Sequence, residues 1–136
     1  AIRLDGASGD ITDSAHVVWT NQRGNSYTAS PVLLDGILYF VTDNGLMSAF
    51  EAKTGKPHYQ QQRLPNPYKF KSSPVAAGGT LYLATEEGDV VVLKLGPAYE
   101  VVAVNSMGDD SFVATPAFAD GKIYLRGRNT LYAIGK

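Results

Sequence analysis

The chain has 136 residues, 12 basic and 13 acidic side chains and a formal net charge of −1, with 44 % hydrophobic and 18 % charged residues. This apolar content supports a packed core and excludes a disordered chain, and the balanced charge excludes a polyanion-binding surface of the strongly basic kind. The longest apolar runs, such as Ile37 to Val41 and Val90 to Leu93, are too short to span a bilayer, and the lack of cysteine excludes disulfides and thiolate chemistry.

In chain order, the N-terminal AIRLDGASGD has no apolar signal core and no initiator Met, which points to a processed, truncated or excised chain. Ala1 to Asp5 reads as a third strand of a sheet, and His16-Val17-Val18-Trp19 as an outer strand. A first full unit opens at Ser30 with SPVLLDGILYFVTDNGLMSAF, a second at Ser73 with SPVAAGGTLYLATEEGDVVVL, and a third at Thr115 with TPAFADGKIYLRGRNTLYAI. The prolines at 31, 74 and 116 are 43 and 42 residues apart, and Gly36, Gly79 and Gly121 keep those steps, as do Tyr39, Tyr82 and Tyr124. Three columns with one spacing identify an internal repeat.

Each unit has the same physical grammar. Proline has no N–H to donate, so the segment after Ser/Thr-Pro starts a strand at a sheet edge. Asp35-Gly36, Gly78-Gly79 and Asp120-Gly121 suit tight hairpins, and positive φ is expected at the second residue. The second strands, ILYFV, TLYLA and KIYL, are apolar on both faces and therefore need cover on both. Turns at Asn44-Gly45, Glu87-Gly88 and Arg128-Asn129 lead to third strands. These alternate, with Met47 and Ala49, Val90 and Val92, or Leu131 and Ala133 on one side. Thr54-Gly55 turns the first unit into an outer strand around His58-Tyr59-Gln60, and Gly96-Pro97 turns the second into Tyr99 to Val104.

Four antiparallel strands in about 42 residues, covered on both faces, match a β-propeller blade. The expected fold is all-β, an incomplete ring of about three blades. Residues 1–20 are expected to end a preceding blade, 28–63 and 71–104 to form whole blades, and 112–136 an incomplete final one. A β-sandwich is the alternative, but sandwich strands usually keep one polar face.

The phrases SPVLLDGILYFVTDNGLMSAFEAKTGK and TPAFADGKIYLRGRNTLYAIG resemble pyrroloquinoline-quinone-like β-propeller repeats, and the resemblance extends from Val17 to the end. Gly45, Ala49, Ala52, Thr54 and Gly55 match the repeat in the first full blade, while Trp19 and Tyr59 fall at its outer-strand aromatic position. The second blade departs from the pattern, with KLGPAY in place of D-A-x-T-G. The resemblance implies a ring of more blades than this chain supplies, and a periplasmic or secreted location. Some members of that family are dehydrogenases that bind pyrroloquinoline quinone and calcium. Others share only the repeat and act as scaffolds, including one that assists outer-membrane assembly. The repeat is a packing device and implies fold rather than activity.

Few residues suggest chemistry. Asp43, Glu86, Glu87, Arg126 and Arg128 follow the second strands at equivalent positions, so they should share one face of the arc, either as a binding surface or as ordinary solvated turn residues. His16 and His58 have no metal-ligand spacing, and Asp109, Asp110 and Asp120 do not form a calcium loop of alternating oxygen donors. Tyr68-Lys69-Phe70-Lys71 interleaves aromatics with bases, a weak single-strand nucleic-acid signal in a neutral chain that reads better as a connector. No catalytic, cofactor or metal residue is assigned, and no nucleic acid is expected as partner. The functional readings are a non-catalytic scaffold that binds a protein, a piece of a quinone-dependent dehydrogenase, or a sensor domain. Other blades of a larger protein, or a second copy, are expected to cover the open ends of the arc.

Overall fold

The computed structural model describes residues 1–135. They form three separate antiparallel sheets and no helix. The first holds β1 (Val32–Leu34), β2 (Ile37–Val41), β3 (Leu46–Glu51) and β4 (Pro57–Arg63), in that spatial order. The second holds β5 (Val75–Ala77), β6 (Thr80–Ala84), β7 (Asp89–Lys94) and β8 (Val101–Ser106), again in order. The third has β9 (Ala117–Ala119), β10 (Lys122–Arg126) and β11 (Leu131–Gly135). These are propeller blades in an arc that does not close.

The registers repeat with the sequence. Tyr39 lies opposite Val32 and Ala49, Tyr82 opposite Val75 and Val92, and Tyr124 opposite Ala117 and Ala133. The first hairpins carry positive φ at both central residues, Asp35 and Gly36 (49° and 79°), Gly78 and Gly79 (57° and 80°), and Asp120 and Gly121 (49° and 72°). Two successive positive values define the turn whose twist matches that of the flanking strands.

Core formation follows the gaps between sheets. One cluster joins the first two blades through Val41, Met47, Leu64, Phe70, Leu81 and Leu83, and a smaller one joins the second and third through Ala84, Val90, Phe112 and Leu125. The expected alternation of the third strands does not translate into burial. Ser48 and Phe50 are as buried as Met47 and Ala49, and Val91 and Leu93 join Val90 and Val92. A strand between two sheets has no solvent face, so its alternation reports size rather than exposure. Ser48 is tolerated there because its hydroxyl accepts the Gln61 N–H at 3.0 Å, where β4 bulges and Gln61 adopts φ 52°.

The Ser/Thr-Pro column also has a physical cause. The Ser30 N–H donates to Ser73 Oγ at 2.9 Å, and the Ser73 N–H donates to Thr115 Oγ1 at 3.0 Å. Each hydroxyl therefore accepts from the preceding blade and ties neighbouring inner strands together. The connectors between blades do the same work from outside. The Phe70 N–H bonds to Asp43 O at 3.1 Å, and the Phe112 N–H to Thr85 O at 3.0 Å.

The N-terminal region differs from the two strands expected there. Ala1 to Arg3 runs antiparallel to His16 to Trp19, but only one bridge forms, Ile2 with Val17, flanked by Val18 N–H to Ala1 O at 2.9 Å and Arg3 N–H to His16 O at 2.8 Å. Among the described residues no further strand pairs with either segment, and a two-stranded ribbon alone is marginal. Trp19 nonetheless reaches the first blade. Its indole N–H donates to Ala52 O at 2.9 Å, and its ring stacks at 6.0 Å on Phe50 and covers Gly55. A Cβ at Gly55 would come within 2.5 Å of the indole. Gly55→Val should therefore expel the ring from its seat. Trp19 is the sole tryptophan, so the expected readout is a red shift of intrinsic fluorescence with β structure retained by circular dichroism. An unshifted spectrum would show that the indole is not held there.

Candidate binding face

The turns that follow β2, β6 and β10 lie at one end of the arc, beside the connectors. The first two are built alike. The Thr42 hydroxyl accepts the Leu46 N–H at 2.9 Å, and the Thr85 hydroxyl accepts the Asp89 N–H at 3.0 Å. The third has Gly127 at the threonine position, and it closes through Gly127 N–H to Thr130 O at 2.8 Å. Asp110 takes over the polar role there. Its carboxylate accepts the Ser111 N–H at 2.8 Å, the Arg128 N–H at 2.7 Å and the Tyr132 hydroxyl at 2.9 Å. A side chain at Gly127 would collide with that carboxylate, which explains the glycine.

These donors act on ionisation. The Ser111 N–H, with Tyr132 and the backbone of Arg128 and Asn129, holds the Asp110 carboxyl below the ordinary aspartate range. At Asp43, desolvation pushes upward, but donors from Thr28 and Tyr27 and the Lys71 ammonium at 3.6 Å outweigh it and lower the pKa. A depressed folded pKa means stability present above the unfolded value and lost as pH falls through the folded one. Asp110→Asn should therefore lower Tm at neutral pH, with the difference from the parent protein shrinking as pH is taken below about 4. A difference constant across that range in a thermal-melt series would disprove the ionic role of Asp110.

Asp43, Glu86, Glu87, Arg126 and Arg128 do share this face, in a row of three hollows that all include Glu86. A 630 Å³ hollow between the first two turns is flanked by Asp43, Lys69, Lys71 and Glu86. The next, of 450 Å³, is bordered by Lys69, Glu86, Glu87, Asp109, Asp110 and Arg128. The third, of 440 Å³, lies between Glu86, Ser111, Val113, Arg126 and Arg128. Asp43 and Glu87 are already engaged, Glu87 by the Lys69 N–H at 3.0 Å. The side chains of Glu86 and Arg128 have no hydrogen-bond or ion-pair partner among the described residues, and the Arg126 side chain reaches only the Gly127 carbonyl.

The other candidates separate. Asp120 sits in the β9–β10 hairpin, away from Asp109 and Asp110. His16 places Nδ1 3.0 Å from Arg3 O, and His58 is exposed on β4. Tyr68 and Phe70 are core residues rather than a stacking platform, and the Tyr68 hydroxyl donates to Asp89 at 2.8 Å. The sequence reading missed a fourth column, Tyr27, Phe70 and Phe112, three residues before each Ser/Thr and on the same steps of 43 and 42. Phe70 and Phe112 build the floor between blades. Calcium needs six or more converging oxygens. Glu86, Glu87, Asp109 and Asp110 border one hollow, but among the described residues no group of three side chains is placed to hold a metal ion. The donor set does not fit that ion.

Residues 10–98 match the family model described as outer membrane protein assembly factor BamB. No curated protein matches the sequence. Among solved structures, BamB from Moraxella catarrhalis is similar at TM-score 0.71 and 15 % identity, over 87 % of this chain and 36 % of that one. A quinohemoprotein alcohol dehydrogenase from Pseudomonas putida HK5 is similar at TM-score 0.60 and 13 % identity, over 79 % and 17 %. The computationally designed Ika8 protein gives TM-score 0.60 and 9 % identity, over 78 % and 32 %. At these identities the likeness shows the fold. The chain thus spans about a third of the BamB chain it resembles.

Proposed function

The chain belongs to the family described as outer membrane protein assembly factor BamB, and from that premise we propose that it is a non-catalytic segment of a propeller scaffold that binds a protein partner through its turn face. The observation that carries this reading is the row of three adjoining hollows, fed by turns of three successive blades, with charges that the fold itself does not consume. A propeller presents such turns on rigid sheets, as binding surfaces require. In this reading residues 1–20 end a preceding blade, further blades of a larger protein cover the open faces, and the location is periplasmic or secreted. No helix among the described residues is long and apolar enough to cross a membrane. This reading invokes neither a quinone nor calcium.

Photo-crosslinking in a Gram-negative periplasm tests this. A crosslinking residue at Glu86 should trap a discrete protein, whereas one at Lys53, in the turn after β3 at the opposite end, should not. Equal trapping at both positions would defeat the assignment of the face. Quinone-dependent dye reduction by the chain would defeat the non-catalytic reading and favour a dehydrogenase segment.

A further inference from the structure

The three equivalent turn positions carry Asp43, Glu86 and Arg128, so the charge reverses along the arc. In the first blade that charge is consumed by Thr28, Tyr27 and Lys71. In the third it is not. No carboxylate among the described residues lies within 4.0 Å of the Arg126 or Arg128 guanidinium. Asp110, on the adjoining hollow, spends its oxygens on backbone N–H groups and the Tyr132 hydroxyl. The two arginines border a 440 Å³ cleft whose remaining wall includes Ser111, Val113 and Ala114. Val113 is 60 % exposed, an apolar side chain beside two guanidiniums that no carboxylate engages. Glu86 also lines the cleft, and its side chain can accept an N–H from a bound backbone.

We propose that the cleft between Arg126 and Arg128 receives an acidic peptide segment of the partner, with its carboxylates on the guanidiniums and its aliphatic stem on Val113. Guanidinium pairs carboxylate through two parallel hydrogen bonds, which gives direction as well as charge. The chain is neutral overall, so a diffuse field cannot stand in for this local pair. This inference rests on the turn face being the binding face.

The probe is a rhodamine-labelled octaglutamate peptide, followed by fluorescence anisotropy against the whole chain. The peptide should bind, and the doubly substituted R126Q/R128Q chain should weaken it on the order of tenfold or more. Val113→Asp, on an exposed position, should weaken it comparably without unfolding the chain. The matched pair K53Q/K56Q, which removes two charges from the opposite end, should leave binding unchanged. No binding, equal loss in K53Q/K56Q, or displacement by low-millimolar inorganic phosphate would overturn the proposal. A partner trapped at Glu86 without octaglutamate binding would sink this inference alone, whereas no trapped partner would sink the reading beneath it.

Discussion

Replacing Gly88 with valine should destabilise the chain by roughly 3–5 kcal/mol, far more than the same change at the hairpin glycines. Gly88 has φ 87°, a conformation that a β-branched residue adopts only under strain. Its environment adds a second penalty. A Cβ there would sit 2.5 Å from Asp110 O and 2.6 Å from Gly108 O, backbone atoms of the connector that leads to the third blade. Neither can rotate away as a side-chain tip could, and Met107 N–H is bonded to Gly88 O at 2.9 Å, which pins the connector in place. Relief requires separating the second blade from the strand that introduces the third. Gly79 has a similar φ of 80° but nothing within 4 Å of a Cβ. Gly79→Val should show only the conformational strain, about 1–2 kcal/mol. Urea unfolding of both variants measures the difference. Equal losses would mean that the connector yields freely and that blade contact at Gly88 carries no weight.

The columns at Pro31, Gly36 and Tyr39 announce strands, hairpins and repeat length because they follow from local rules: no N–H, positive φ, a covered strand. The glycines that matter most for blade contact look no different in sequence from those that only turn a hairpin. Their demand comes from a connector about twenty residues away. The same limit hid the exchange of Thr42 and Thr85 for Gly127 with Asp110, since a carboxylate arriving from another segment leaves no mark on the turn it caps. The N-terminal strands failed for the opposite reason. Their residues favour extended structure, but a strand is a pairing, and only Ile2 with Val17 finds one. The charged turn face was legible as a list of equivalent turn residues. Which of those charges are spent internally was not, because Asp43 is consumed through Tyr27 and Thr28.

The overlooked aromatic column separates the role of a repeat position from the role of its residue. Phe112 is fully buried between the second and third blades, where it meets Leu125 and Ala84 and packs edge-on against Tyr132 at 6.1 Å. Phe70 is fully buried in the same way between the first and second. Tyr27 stands at the same place in the repeat yet is 92 % exposed, because among the described residues no sheet lies on its side of the first blade. Phe112→Ala removes a ring from a closed space that the rigid sheets cannot collapse to fill, so it should cost about 3–5 kcal/mol. Tyr27→Ala removes a ring from water and should fall within about 0.5 kcal/mol of the parent chain. Denaturant unfolding of the two variants at low protein concentration gives both numbers. A large loss at Tyr27 would place another blade against it in solution. A small one at Phe112 would show that the third sheet is not docked on the second.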